Sequence, residues 1–302
     1  MNHEAFQQQL VQFPANVSAV LQSLTQQQGR LDPEQVLTLQ ELLQLSTEGL
    51  LKALLPLAGA MSTCPVSNFC VGAIVEGYRE QGPGPFYLGA NLETLGQPLK
   101  MSVHAEQAAI CNAWHQGETR LRSLMVNEAP CGHCRQFINE LNEVGQMDIL
   151  VSQLHSEQQR HYHITNLLPD AFGPEDLQQT TRLMSPTSQS LVSPDPADEL
   201  VNAATEAARH SYAPYSSCYS GVALRLENGT VITGRYAENA AFNPGLTAIE
   251  AALVNLRLHS LGEPHGKIID AVLVEKQAPI SHLAMASSIL GHQRVQLRHY
   301  TV

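Results

Sequence analysis

Four landmarks occur twice in this chain of 302 residues, in the same order each time. Pro65-Val66-Ser67, ending at Gly72, returns as Pro214-Tyr215-Ser216, ending at Gly221. Gly89 with Glu93 returns as Gly234 with Glu238. Glu106-Gln107-Ala108 returns as Glu250-Ala251-Ala252, and Ala129-Pro130 as Ala278-Pro279. Chance accounts for one such match among small residues, but not for four in succession with shifts of a few residues. The pattern is that of a duplicated folding unit, each copy closing its own core. The length agrees, since it allows two domains of roughly 150 residues. Between the copies lies the stretch MSPTSQSLVSPDP at 184–196, where Ser, Pro and Thr dominate and periodicity disappears. The expected division is a helical N-terminal region at 1–47, a first core at 48–183, a linker at 184–196 and a second core at 197–302.

Phe6, Leu10, Phe13 and Val17 fall near helical spacing in a Gln-rich background, so the N-terminal region is expected to be helical. A second helix opens at Asp32-Pro33-Glu34, an N-cap acid followed by proline at the first helical position. Thr47 is placed to cap a third helix through Leu50, Leu51, Leu54 and Leu55. From Pro65 the texture changes. Val71 to Val75 and Phe86 to Ala90 are short apolar runs joined across Gly82-Pro83-Gly84-Pro85, a hairpin-like pair of strands. A helix over 105–115, a strand over 123–126, a helix over 131–143 and a strand over 148–151 follow. That order predicts an α/β fold, a three-layer α/β/α sandwich built twice. A new helix is expected to begin at Asp195-Pro196.

Composition narrows the function. Acidic residues outnumber basic ones by 28 to 17, for a formal net charge of −11, which repels phosphate backbones and disfavours a nucleic-acid binder. No apolar stretch is long enough to span a bilayer; the best, Leu50 to Met61, contains Lys52 and Pro56. Met1 to Pro14 lacks the basic and apolar regions of a secretory signal. The six cysteines (Cys64, Cys70, Cys111, Cys131, Cys134 and Cys218) are then expected as thiols or metal ligands in a reducing, cytoplasmic compartment.

Two of them carry chemistry. Pro130-Cys131-Gly132-His133-Cys134 opens one helix and His104-Ala105-Glu106 another. Cysteines three apart on a first helical turn face the same side, so both thiolates can reach one metal ion. The positive helix end favours thiolate there. His104 supplies a third ligand, and zinc suits this nitrogen and sulfur set. Three protein ligands leave the fourth position to water, the mark of a catalytic zinc. His133 is the alternative closing ligand, but it projects about 200° around the helix from Cys131. Glu106 stands beside the open position, able to take a proton from a zinc-activated water.

His-x-Glu followed by Pro-Cys-x-x-Cys is the signature of the zinc deaminases. The chain resembles the cytidine deaminases, and among them the long homodimeric bacterial type. Beyond the zinc motif the resemblance rests on Ser67-Asn68-Phe69 leading into Val71-Gly72-Ala73, on Gly89-Ala90-Asn91-Leu92-Glu93, and on Tyr236-Ala237-Glu238-Asn239-Ala240-Ala241-Phe242-Asn243-Pro244. It implies the fold of that family, one Zn²⁺ per chain, and hydrolytic deamination of cytidine and 2′-deoxycytidine in pyrimidine salvage. It implies Glu106 as the proton shuttle and His104, Cys131 and Cys134 as metal ligands. By the same resemblance Asn91, Leu92 and Glu93 bind substrate, the two polar groups through the ribose 3′-hydroxyl. Phe69 packs on the pyrimidine and the Ala105 backbone reads the base. Phe242 is then expected to line the active site of a partner subunit.

The second copy departs from the motif. Aligned by its landmarks, Ala248 stands at the position of His104 and Glu250 at that of Glu106, while Pro279-Ile280-Ser281-His282-Leu283 replaces the cysteines. That copy is expected to hold no zinc. Cys64, Cys70, Cys111 and Cys218 lack metal spacing and are expected as buried packing groups. Trp114 is expected in the core, and His161 and His163 as solvated or loop residues. Two other functions remain open: a deaminase of another base or of a polynucleotide, and a structural zinc protein.

Overall fold

Residues 3–153, 159–261 and 266–302 are described by the computed structural model of the protein. The N-terminal region is helical but broken. Proline has no N–H to continue a helix, and Pro14 separates α1 (His3–Leu10) from α2 (Ala15–Leu21). After α3 (Ser23–Gln26), a two-residue strand β1 (Arg30–Leu31) interrupts the helical expectation and pairs with Phe86 and Tyr87. Helix α4 (Pro33–Leu43) starts on Asp32 and Pro33 as the sequence predicts. Helix α5 (Thr47–Gly59) is capped one residue earlier than expected, by Ser46, whose hydroxyl accepts the Gly49 N–H at 3.1 Å.

The first copy runs β2 (Gly72–Gly77), β3 (Phe86–Ala90), α6 (Ala105–His115), β4 (Leu121–Val126), α7 (Gly132–Asn139) and β5 (Asp148–Ser152), in the predicted order. Helix α7 stops short of the expected Glu143, which takes a left-handed φ of 54°. Strand β6 (Gln159–Tyr162) and a single turn α8 (Ile164–Leu167) follow, where the sequence suggests loop. Gln-Arg-His-Tyr has no apolar alternation because β6 is an edge strand with mostly solvent-facing side chains. The second copy runs α9 (Glu199–Arg209), β7 (Ser220–Leu226), β8 (Val231–Arg235), α10 (Ala248–His259), β9 (Ile268–Glu275), α11 (Leu283–His292) and β10 (Leu297–Thr301). Helix α9 is capped by Asp198, slightly beyond the expected Asp195-Pro196.

The two sheets have one plan. In the first the order is β1-β3-β2-β4-β5-β6, with β4 parallel to β5; in the second it is β8-β7-β9-β10, with β9 parallel to β10. Both carry a bulge at the same register, between Glu76 and Gly77 and between Arg225 and Leu226. Two glycines place the helices. Gly72 sits opposite Ala90 and Gly89 opposite Ala73, so the glycines are one register position apart and face opposite sides. A β-carbon on Gly72 would lie 2.3 Å from the Gly59 nitrogen in α5, and one on Gly89 would lie 2.1 Å from the Ala109 nitrogen in α6. Helices α5 and α6 therefore press on opposite faces, which makes three layers. Gly221 and Gly234 repeat this against α9 and α10.

That close packing also corrects the alignment of the copies. Gly89 meets Ala109 as Gly234 meets Ala252, and His104 caps α6 as Thr247 caps α10. Thr247, not Ala248, therefore occupies the position of His104. Ile249 falls at Glu106, and Glu250 at Gln107. The short run of small and acidic residues gave a one-residue slip that the glycine contacts and the helix caps resolve.

The copies are fused rather than merely linked. Tyr212, Leu246, Val254 and Leu258 of the second belong to the apolar cluster of the first. Glu140, 0% exposed, accepts hydrogen bonds from the Tyr212 hydroxyl at 2.7 Å, the Tyr215 hydroxyl at 2.5 Å and the Ala240 N–H at 2.9 Å. Removing one donor leaves a buried carboxylate under-satisfied. Tyr212→Phe should therefore lower the unfolding free energy by about 1–3 kcal/mol in urea titrations; an unchanged midpoint would show that Glu140 does not tie the copies. Gly89→Ala should destabilise by at least about 1–3 kcal/mol through overpacking, because backbone rather than a yielding side chain meets the new methyl.

Candidate active site

Two helix N-termini converge at one end of the first sheet. His104 caps α6, with its N–H donated to Gln107 Oε1 at 3.2 Å. Cys131 caps α7 and Cys134 lies in its first turn. His104 Nδ1 is 3.5 Å from Cys131 Sγ and 3.3 Å from Cys134 Sγ. The three ligand atoms lie within 4.8 Å of one another, and among the described residues no other His, Cys or carboxylate joins them. His133 is not in the group; its ring sits 5.3 Å from that of His104, centroid to centroid.

The electrostatics suit a metal. Hydrogen bonds from Cys134 and His104 pull the Cys131 thiol down to about 3, while Cys131 and burial push Cys134 up, so the pair shares one negative charge. The contact with Cys131 raises the pKa of His104. A cation is the natural occupant, and one nitrogen with two sulfurs in tetrahedral reach fits Zn²⁺. Cys134 is buried and Cys131 exposed, so the site opens on the Cys131 side.

It opens into a cavity of about 290 Å³ whose walls include Phe69, Asn91, Glu93, His104, Ala105, Glu106 and Cys131. Glu106 is 4% exposed, and burial raises its pKa above the ordinary carboxylate value. Phe69 is 55% exposed at the rim. Glu93 Oε2 accepts the Val66 N–H at 2.9 Å and the Ser67 N–H at 3.1 Å. Burial raises its pKa, but the hydrogen bonds from Ser67 and Val66 outweigh it and hold the carboxyl below its ordinary range. Asn91 is engaged on both sides, accepting the Val71 N–H and donating to the Phe69 carbonyl, each at 2.9 Å.

The second copy qualifies the role of Glu93. Glu238 accepts the Tyr215 and Ser216 N–H groups in the same way, and Asn68 and Ser217 share a left-handed φ at the same turn. A carboxylate that holds this loop is thus part of the scaffold even where no metal ligands exist. Leu92 is not in the cavity: its side chain packs on both main apolar clusters and its backbone pairs with Val103. Phe242 is 68% exposed with a φ of 62° and lies 6.4 Å from Tyr215, outside the cavity of its own chain.

Other expectations divide. Cys111 and Cys218 are buried, but Cys64 is half-buried and Cys70 exposed, so those two are not packing groups. Trp114 is in the core, with the Arg235 guanidinium 4.0 Å from its ring centre. His161 and His163 are solvent-exposed as expected, His161 on the edge strand β6 and 2.8 Å from Asp148. Sequence reasoning missed Ser102 and Glu128 in the cavity wall. Glu128 could have been found from its place between the end of β4 and Pro130-Cys131, where strand-end residues face the site.

Two profiles of one family, described as the cytidine and deoxycytidylate deaminase zinc-binding region, match residues 47–149 and 164–287. Cytidine deaminases of Yersinia pestis (strain Pestoides F) and Yersinia pseudotuberculosis (serotype O:1b) are each 44% identical over 267 residues, covering 87% of this chain and 87% of theirs. The chain belongs to the cytidine deaminase family. Among solved structures, a cytidine deaminase from Burkholderia pseudomallei is 27% identical, covering 41% of this chain and 97% of its own, with a TM-score of 0.37. Membership makes this a zinc-dependent hydrolase, with His104, Cys131 and Cys134 as the residues that would hold the ion. No described helix is long and apolar enough to cross a membrane.

Metal analysis of the purified protein should find one zinc per chain. Cys131→Ala and Cys134→Ala should each lose most of it. Full retention in either variant would remove that thiol from the ligand set.

Proposed function

We propose that the chain hydrolyses cytidine and 2′-deoxycytidine to uridine and 2′-deoxyuridine with release of ammonia. The observation that carries this is a buried carboxylate, Glu106, lining the same small cavity as His104 and Cys131. The names of the Yersinia relatives support the substrate.

Zinc, when bound, supplies Lewis acidity that brings the pKa of a water molecule toward about 7. Glu106 takes the proton that this water gives up and hands it to N3 of the pyrimidine as the water oxygen bonds to C4. The C4–N bond then breaks. Glu106 carries the second proton to the amino group, which leaves as ammonia, and the uracil carbonyl remains at C4. Burial suits Glu106 to this work, because it raises the carboxyl's pKa above the ordinary value and so makes it the stronger proton acceptor. Glu93 accepts from the ribose 3′-hydroxyl through the carboxylate oxygen that does not hold the 66–67 turn. Asn91 aligns the 69–71 segment and offers the ribose a second polar group. Phe69 covers the pyrimidine at the rim and the Ala105 backbone faces the base. Leu92 acts through its backbone, holding the strand end in place.

The working core is 48–183, after the 1–47 helices; the 184–196 linker joins it to 197–302, which supports it without a zinc of its own. The chain acts as a homodimer in which the exposed Phe242, strained at its left-handed φ, lines the partner's cavity. Its six free cysteines fit a cytoplasmic enzyme of pyrimidine salvage.

Ultraviolet-monitored conversion of cytidine to uridine tests the reading. Glu106→Gln should keep its zinc and lose roughly 10³-fold in kcat. Glu93→Gln should raise KM for cytidine about tenfold while changing kcat less. Wild-type protein that holds zinc but does not turn over cytidine would sink the proposal.

A further inference from the structure

A second cavity, of about 580 Å³ against about 290 Å³ for the catalytic one, lies between α1, α5, the 62–70 segment and the end of α10. None of the described acidic residues lines this cavity, and Arg257 does. Arg120 and Arg298 face carboxylates, Glu143 for the first and Asp198 with Asp270 for the second, while Arg135 and Arg235 donate to backbone carbonyls. Arg257 instead donates to a neutral hydroxyl, Thr63 Oγ1. Its Nε is buried with no hydrogen-bond partner, and among the described residues no acid pairs with it. Burial alone pulls its pKa down, to about 10. A guanidinium withdrawn from water without a counter-charge is unfavourable, and an anion entering the cavity would supply one.

We propose that this cavity is a second ligand site that takes a small organic phosphate, of the size of a nucleoside monophosphate, with Arg257 gripping the phosphate. The guanidinium fork matches two phosphate oxygens. Pro56, Ala60 and Pro65 offer apolar cover for the organic part. The site is joined to the catalytic cavity through Thr63. The Thr63 N–H donates to the Asn91 carbonyl at 2.9 Å, and the Glu93 N–H donates to the Thr63 carbonyl at 2.8 Å. A phosphate that draws Arg257 off Thr63 loosens the residue on which the ends of Asn91 and Glu93 are hung.

Thermal unfolding of the zinc-loaded protein with uridine 5′-monophosphate, and with inorganic phosphate alone, tests the site without reference to activity. Saturating ligand should raise Tm by roughly 3 °C or more. Arg257→Gln should abolish the shift and Arg257→Lys should keep part of it. Gln9→Glu, which places an acid on the cavity wall while leaving Arg257 intact, should also abolish it. No shift in wild type, or a shift that survives both Arg257→Gln and Gln9→Glu, overturns the site. The link to catalysis rests on the deaminase reading: bound phosphate should raise KM for cytidine about fivefold. Binding with an unchanged KM overturns that link and leaves the deaminase assignment standing.

Discussion

The seating of α6 on β3, close enough that Gly89 has no room for a β-carbon, is the constraint on which the site depends. It fixes the N-terminus of α6 over the strand ends, so His104 at the cap and Glu106 in the first turn reach one cavity from one helix. The connection from β4 through Pro130 brings the N-terminus of α7 to the same place. Two helix N-termini then face a shared point, and their exposed N–H groups favour the negative charge shared by Cys131 and Cys134. Metal binding here needs both seatings at once, which explains why so small a donor set is held by so large a fold.

Duplication used the same constraint twice and kept the chemistry once. Gly234 seats α10 as Gly89 seats α6, and Glu238 holds its loop as Glu93 does. At the cap, however, Thr247 offers a hydroxyl where His104 offers an imidazole, and it bonds back to its own helix through Glu250. What the second copy supplies is support. Its Pro244 carbonyl accepts from Gln107, the residue that holds the His104 N–H, and its tyrosines satisfy Glu140 at the end of α7. The two helices that carry His104, Cys131 and Cys134 are thus braced from behind by a copy of themselves.

Much of the fold was legible in the sequence because its signals are local. Apolar runs bounded by Gly and Pro marked β2 and β3, and Asp32-Pro33 marked the start of α4. The Cys-x-x-Cys spacing marked two thiols that meet at one point because a helix turn puts residues three apart on one side. Elements without a local signal were missed. Strand β6 has no apolar face, and β1 is two residues long and exists only because β3 offers it an edge. Cys64 and Cys70 looked like packing thiols because small size and low polarity say nothing about which side of a loop faces water.

By itself the sequence determined the duplication, the strand and helix order, and which nitrogen and two sulfurs come together as a group able to hold a metal ion. Those follow from residue type and short spacing. Only the tertiary structure decided the register between the copies, since Thr247 rather than Ala248 sits opposite His104 once helix caps and glycine contacts align them. It alone showed that Asn91 is engaged by backbone on both sides, that Leu92 is packed away, and that Arg257 lies beside a second cavity with no acid against it among the described residues. Each of these depends on contacts between residues far apart in the chain, and no local pattern encodes which distant group a side chain will meet.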